Sequence, residues 1–293
     1  MTIKANLRAR RRRRRILWIS IVVIVVAVIA GAYFIAASTS NPYTSYIGQP
    51  ISASLSQELA GLNSTLASVG AGSGKAPSTI SGSALTADGH PEILYIGGEY
   101  CPYCAVTRWS LVIALSKFGT FTNLEYMLSS ATDLNANTPT FTFVNSTYTS
   151  SYVSFVPVEH WDRAENILQG LTSTEQTLET DYGTGGIPFI DFANQYVING
   201  AVGGLGSIDL SGMNWTQVET QLYTPSSSAA QAIVGEANYF ISTICAIDGN
   251  QPPSICSQPY ATLTLAYAAS ATNTSQSNLL AVPSARILSP WTD

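Results

Sequence analysis

The sequence predicts an α/β domain, and three observations predict it. Short β-prone runs alternate with apolar, helix-length runs between residues 91 and 223. The tetrad Cys101-Pro102-Tyr103-Cys104 falls at the junction of one such strand and helix. Farther on, Gly185-Gly186-Ile187-Pro188-Phe189-Ile190-Asp191-Phe192 leads through Ala193-Asn194-Gln195 into Tyr196 to Gly200, the pattern of a strand, a turn and a strand.

In chain order, residues 1–15 are a basic tail holding eight of the thirteen Lys and Arg, and Ile16 to Ala37 is an uncharged run of 22 residues. At helical rise that run is long enough for the roughly 30 Å of bilayer hydrocarbon, so it predicts one transmembrane helix. The cations before it place residues 1–15 in the cytoplasm and residues 38–293 outside, a single-pass, membrane-anchored topology. A cleaved signal peptide is the rival, but its apolar region spans about 7 to 15 residues and ends at a small-residue site that is missing here.

Residues 38–90 are expected to form a stalk. Leu55, Leu59, Leu62 and Leu66 recur at spacings of four, three and four and predict one short amphipathic helix. A Gly/Ser-rich linker follows from Gly70 to Gly89. The compact domain, 91–223, opens with a strand over Glu92 to Ile96, broken by Gly97-Gly98, and a buried helix over Cys101 to Phe118, with Pro102 in its first turn and Gly119 at its stop. A second strand over Leu124 to Leu128 is expected, then an inserted pair over Thr140 to Val144 and Val153 to Val158, and a helix over Glu175 to Tyr182. Trp215 to Tyr223 and Ala229 to Ala246 read as helices, the second opening an extension, 224–293, that ends in a polar tail.

Charge excludes one class of partner. Beyond residue 15 the chain carries five cations against eighteen acids, net −13. Nucleic-acid binding needs clustered Lys and Arg to neutralise phosphates, and the cluster here is terminal. Sequons at Asn63, Asn145, Asn214 and Asn273 permit glycosylation outside the cell. All four cysteines lie after residue 37, which suits a compartment where disulfides persist.

The chemistry rests on Cys101 and Cys104. A thiol at a helix N-terminus meets unsatisfied N–H groups and the helix dipole, which favour the thiolate. Cys104, three residues on, is close enough to close a disulfide with Cys101 or to resolve a mixed one, which makes Cys101 the attacking thiol and Cys104 the resolving thiol. This exchange needs no metal or organic cofactor. A zinc site would need a second Cys pair or nearby histidines, and only His90 and His160 exist. Cys245 and Cys256 bracket a turn-rich loop, as a structural staple or as a relay exchanging electrons with the first pair.

The element order strand, CPYC, helix, strand, insertion, helix, GIPFIDF strand, turn, strand, helix resembles the thioredoxin fold. CPYC is also the signature of glutaredoxins, and a proline after the first Cys occurs in Dsb-type disulfide oxidases. That resemblance implies a cis Ile187-Pro188 loop facing the thiols, with Ile187, Pro188, Pro102 and Tyr103 binding an extended client strand through main-chain hydrogen bonds. Thioredoxins keep a buried acid six residues before the first Cys, whereas this chain has Tyr95; Glu99 is expected either to substitute for it in tuning the thiols or to be an exposed loop carboxylate. Arg108, one turn after Cys104, is expected either to help tune the thiols or to face solvent, with solvent the favoured reading. His160 is expected on the surface, Asp191 facing solvent or capping the next turn, and Trp109 in the core.

The strings YIGGEYCPYCAVTRWSLVIALSKFG, TPTFTFVNSTYTSSYVSFVPVE, GGIPFIDFANQYVINGA and ICAIDGNQPPSIC are similar to the membrane-anchored, thioredoxin-like family of archaea and bacteria catalogued as domain of unknown function 929. Together these features predict an extracytoplasmic thiol–disulfide oxidoreductase acting on secreted or surface client proteins, with a membrane, quinone-linked reoxidising partner as the analogy of fold suggests. The alternative is a redox-inactive surface binding module of the same fold, with both cysteine pairs as structural disulfides.

Overall fold

The computed structural model describes residues 16–29 and 41–263. The chain divides into two compact units, Met1–Ser45 and Tyr46–Asp293. In the first, residues 16–29 are helical. Among the described residues no helix is long and apolar enough to cross a membrane. The expected transmembrane helix is corrected accordingly; residues 1–15 and 30–37 lie outside the described residues.

The second unit opens with α1 (Ala53–Gly61) and α2 (Asn63–Val69). Ser52 caps α1, its hydroxyl accepting the Leu55 N–H at 3.1 Å. The leucine spacing predicts one helix, but the backbone leaves helical geometry at Leu62, where ψ is 22°. Only one residue departs, so Leu55, Leu59, Leu62 and Leu66 still share one apolar face, and all four are buried.

Strands β1 (Ser78–Thr79), β2 (Thr86–Ala87) and β3 (His90–Gly98) lead to α3 (Pro102–Leu115). After it come β4 (Gly119–Thr122), β5 (Glu125–Leu128), β6 (Pro139–Thr142), β7 (Thr147–Ser150) and β8 (Ser154–Trp161). Then follow α4 (Ser173–Tyr182), β9 (Phe189–Phe192), β10 (Tyr196–Asn199) and α5 (Trp215–Leu222). A π-helical turn, Ala230–Val234, runs into α6 (Gly235–Ile247), and α7 (Pro253–Cys256) comes last.

The main sheet is mixed, in the order β1-β10-β9-β3-β2, with β8 also on β3. Strand β8 runs parallel to β3 and β9 runs antiparallel to it. On one face Leu94, Ile96, Val158, Phe189 and Val197 pack with Leu178 of α4. The other face meets α3 and α6, where Arg108 lies over the Tyr95 ring and Phe192 packs on Phe240. Helix α3 is tied to the π-helical turn ahead of α6 where the Ser110 hydroxyl donates to the Ile233 carbonyl at 2.9 Å.

These pairings correct the expected thioredoxin-like fold with its inserted strand pair. The architecture is a mixed α/β domain with a mixed sheet. The expected second strand, β5, is four residues long and pairs with β6 in a ladder of its own. The expected partners at 140–144 and 153–158 do not pair: β6 belongs to the β5 ladder, and β8, eight residues long, joins the main sheet. The physical reason is length and burial. Only β8 matches the reach of the nine-residue β3, whereas β6 is fixed to α3 by Trp109 Nε1 donating to the Pro139 carbonyl at 2.8 Å and Thr140 Oγ1 donating to the Ala105 carbonyl at 2.7 Å.

The Gly/Ser-rich run is held against the π-helical turn and α6. Ser73 N–H donates to the Gln231 carbonyl at 2.8 Å, and Lys75 N–H donates to Glu236 Oε2 at 2.9 Å. Backbones meet here without side chains between them: a β-carbon at Gly74 would stand 2.7 Å from the Gly235 carbonyl carbon, and one at Gly235 would stand 2.6 Å from the Ala71 oxygen. Asn238 Nδ2 donates to the carbonyls of Leu66 and Gly70 at 2.9 and 2.6 Å.

Cys245, at the end of α6, is bonded to Cys256 of α7. The cysteines are 11 apart in sequence, and closing such a loop stabilises by about 3 kcal/mol in the chain-entropy model. Cys256→Ser is therefore expected to lower the urea midpoint by the equivalent of about 3 kcal/mol. An unchanged midpoint would mean that α7 is held by its other contacts alone.

Candidate functional site: a buried thiol pair

Helix α3 begins where it does because Pro102, at its first turn, presets the helical φ and has no N–H to leave unpaired. Cys101 is the N-cap, with φ −74° and ψ 121°, and its Sγ accepts the Cys104 N–H at 3.2 Å. The Cys101 N–H in turn donates to the Gly98 carbonyl at 3.2 Å. Both thiols are free, Cys101 is 5% exposed and Cys104 is fully enclosed.

The two sulfurs differ in charge state. A hydrogen bond from the Cys104 thiol holds Cys101 below the ordinary thiol pKa, aided by the backbone N–H of Cys104 and by Arg108, against burial, which raises it. Burial pushes Cys104 well above the ordinary value, and its bond to Cys101 adds to this. The outer sulfur is thus the more readily ionised of the two.

Beneath them lies a buried ion pair. Arg108 is fully enclosed, which corrects the expectation that it faces solvent. Its Nε donates to Glu159 Oε1 at 2.9 Å, and its Nη2 donates to Glu159 Oε2 at 2.6 Å and to the Gly98 carbonyl at 2.8 Å. Its guanidinium lies 5.7 Å from the centre of the Tyr95 ring. Sequence reasoning missed Glu159. The signal was there: Arg108 is the single charged residue in the apolar helix α3, and Glu159 interrupts an apolar strand.

Glu99 is 7% exposed, not an open loop carboxylate. Its Oε1 accepts the Thr142 hydroxyl at 2.6 Å, and burial raises its pKa. Asp191 does not face solvent; its Oδ1 accepts the Asn194 N–H at 2.7 Å, so it caps the β9–β10 turn. His160 lies on β8, its Nδ1 2.6 Å from the Gln169 carbonyl. Trp109 is fully buried in the core.

The structure brings Ile187 to the thiol loop. A β-carbon on Gly98 would come within 3.3 Å of Ile187 Cδ1, and Gly98 carries the carbonyl that accepts from both Cys101 and Arg108. The Ile187–Pro188 peptide is cis. Pro102 is buried beside Cys101, while Tyr103 is 38% exposed. Cys245 and Cys256 are bonded to each other, with Cα atoms 5.6 Å apart.

Over residues 76–184 the chain matches the family model described as "Domain of unknown function (DUF929)". No curated protein and no solved structure matches the chain. The matched segment contains the thiol pair, Tyr95, Glu99, Arg108 and Glu159, and it stops short of Ile187. The segment that carries the thiols and their buried ion pair, residues 76–184, is thus the part of the chain that is similar to the DUF929 family.

Proposed function

We propose that the protein is a thiol–disulfide oxidoreductase acting on the dithiols or disulfides of other proteins. The observation that carries this reading is the asymmetry of the pair: a capping Cys101 favoured as thiolate, and an enclosed Cys104 favoured as thiol. A structural disulfide needs no such difference. A nucleophile and a resolving thiol do.

In this reading, Cys101 forms the mixed disulfide with a client, and Cys104 displaces the client or is displaced by it. The partly buried Ile187 at the thiol loop and the exposed Tyr103 are the candidate client contacts. The clients are proteins of an oxidising compartment, a location the Cys245–Cys256 disulfide supports. A separate disulfide-exchanging partner recycles the pair.

The test is a trap. In full-length Cys104→Ser, a mixed disulfide formed at Cys101 has no internal thiol to resolve it. Non-reducing gels should show adducts that dissolve with dithiothreitol and vanish in Cys101→Ser/Cys104→Ser. If Cys101 remains reactive to iodoacetamide yet gathers no adducts in cells, the oxidoreductase reading fails.

A further inference from the structure

Helix α3 carries one charge, and it points inward. Burying a guanidinium costs several kcal/mol unless it is paired and hydrogen-bonded. Glu159 and the Gly98 carbonyl satisfy Nε and Nη2, but Nη1 is buried with no acceptor. A second buried donor, the Tyr95 hydroxyl, is likewise without a partner. Two orphan donors in one place imply an acceptor that exists only part of the time.

Cys104 is placed to be that acceptor. It lies four residues before Arg108, one turn up the same helix face. Burial and the Cys101 bond keep its resting sulfur a thiol, Arg108 is the neighbouring charge that favours its ionised form, and its charge is felt by the Tyr95 phenol ahead of that of Cys101. The other ionisable groups around this cluster are Glu99 and Tyr100 on the loop, Cys101 at the cap and Glu159 on β8.

We propose that Arg108 is a positioning residue for the thiol pair, held by Glu159 so that its free Nη1, with the Tyr95 hydroxyl, receives the thiolate of Cys104, and that the pair therefore serves as an oxidant of client dithiols. This rests on the oxidoreductase reading and adds its direction. A client thiolate attacks Cys101 Sγ, the Cys101–Cys104 bond breaks, and the electron pair leaves on Cys104 Sγ toward Arg108. The client's second thiolate then attacks the client sulfur of the mixed disulfide, and Cys101 leaves as thiolate. The client loses two electrons to the pair and two protons to solvent; Cys104 takes one proton back from solvent and Cys101 stays a thiolate. A disulfide-bearing oxidant, glutathione disulfide in the test, restores the oxidised pair. In the resting reduced form Cys104 is a thiol and Arg108 favours the Cys101 thiolate; stabilising that form makes a dithiol couple more oxidising, and a stabilised leaving thiolate departs faster.

The test uses the full chain as Arg108→Gln/Glu159→Gln, which removes both charges and leaves neither buried alone. Equilibration with glutathione should shift at least tenfold toward the disulfide form, equal to about 30 mV. The pH midpoint for alkylation of Cys101 should rise, because Arg108 also favours its thiolate. A merely structural pair would move neither readout in a folded variant, and unchanged values in both would overturn the proposal. Should the double variant not fold, Tyr95→Phe decides: it keeps the ring, deletes the orphan hydroxyl, and should shift the same equilibrium about threefold in the same direction. No shift there overturns the proposal too. A wild-type protein whose Cys101 and Cys104 never exchange with glutathione would instead defeat the oxidoreductase reading itself.

Discussion

Arg108→Met is expected to destabilise the domain by about 3–5 kcal/mol. The side chain is replaced by one of similar length, so packing changes little. What changes is Glu159: its carboxylate is fully buried and loses the Nε and Nη2 donors at 2.9 and 2.6 Å. Only the Phe143 N–H, at 3.4 Å, and solvent-free surroundings remain. The penalty is that of an unpaired buried charge, much larger than the net worth of the pair. Arg108→Met/Glu159→Leu should therefore recover most of the loss. Urea unfolding of the wild type, both singles and the double measures this as a cycle; a double variant as unstable as the sum of the singles would show that the two side chains act independently.

The second large effect is a loss of stability as pH rises. Glu236 is fully buried in α6, and burial raises its pKa to about 8, with only the Lys75 N–H bonded to it and Oε1 unpartnered. Asp191 is raised to about 6 by the same cause. For an acid raised on folding, the native state holds the extra proton. Its contribution is fully present below the unfolded carboxyl pKa and is lost as pH climbs toward the folded value. For Glu236 the window runs from about pH 4.5 to about 8, and the loss across it is of order 4 kcal/mol. Wild-type stability should fall over this range, and Glu236→Gln, which cannot ionise, should flatten most of the slope. A variant with the wild-type slope would locate the titration elsewhere.

How far the sequence carries the reader depends on whether the cause is local. The start of α3 at Pro102, the α4 helix with its Thr172–Glu175 capping box and the β9–β10 hairpin follow from residues within a few positions of each other, and each stands where its local signals place it. The thiol pair is of this kind, since N-cap and first turn are adjacent in sequence. Strand partnership is not. Residues 125–128 and 154–161 are both β-prone, and which one lies beside β3 depends on their matching lengths and on what α3 covers. Arg108 was misjudged for a related reason: a lone cation on an apolar helix looks exposed until its partner, 51 residues away, is known.

The junction of the Gly/Ser-rich run with α6 bears on where this domain can be cut. The family match opens at residue 76, but the compact unit opens at Tyr46. A fragment trimmed to the family boundary would take away the Lys75 N–H from Glu236, the Leu66 and Gly70 carbonyls from Asn238, and the leucines of α1 and α2. The helix that backs α3 would then present a buried acid and a bare amide to water. A fragment that keeps these contacts thus has to begin ahead of the family boundary, and one begun at Tyr46, some thirty residues earlier, keeps them all.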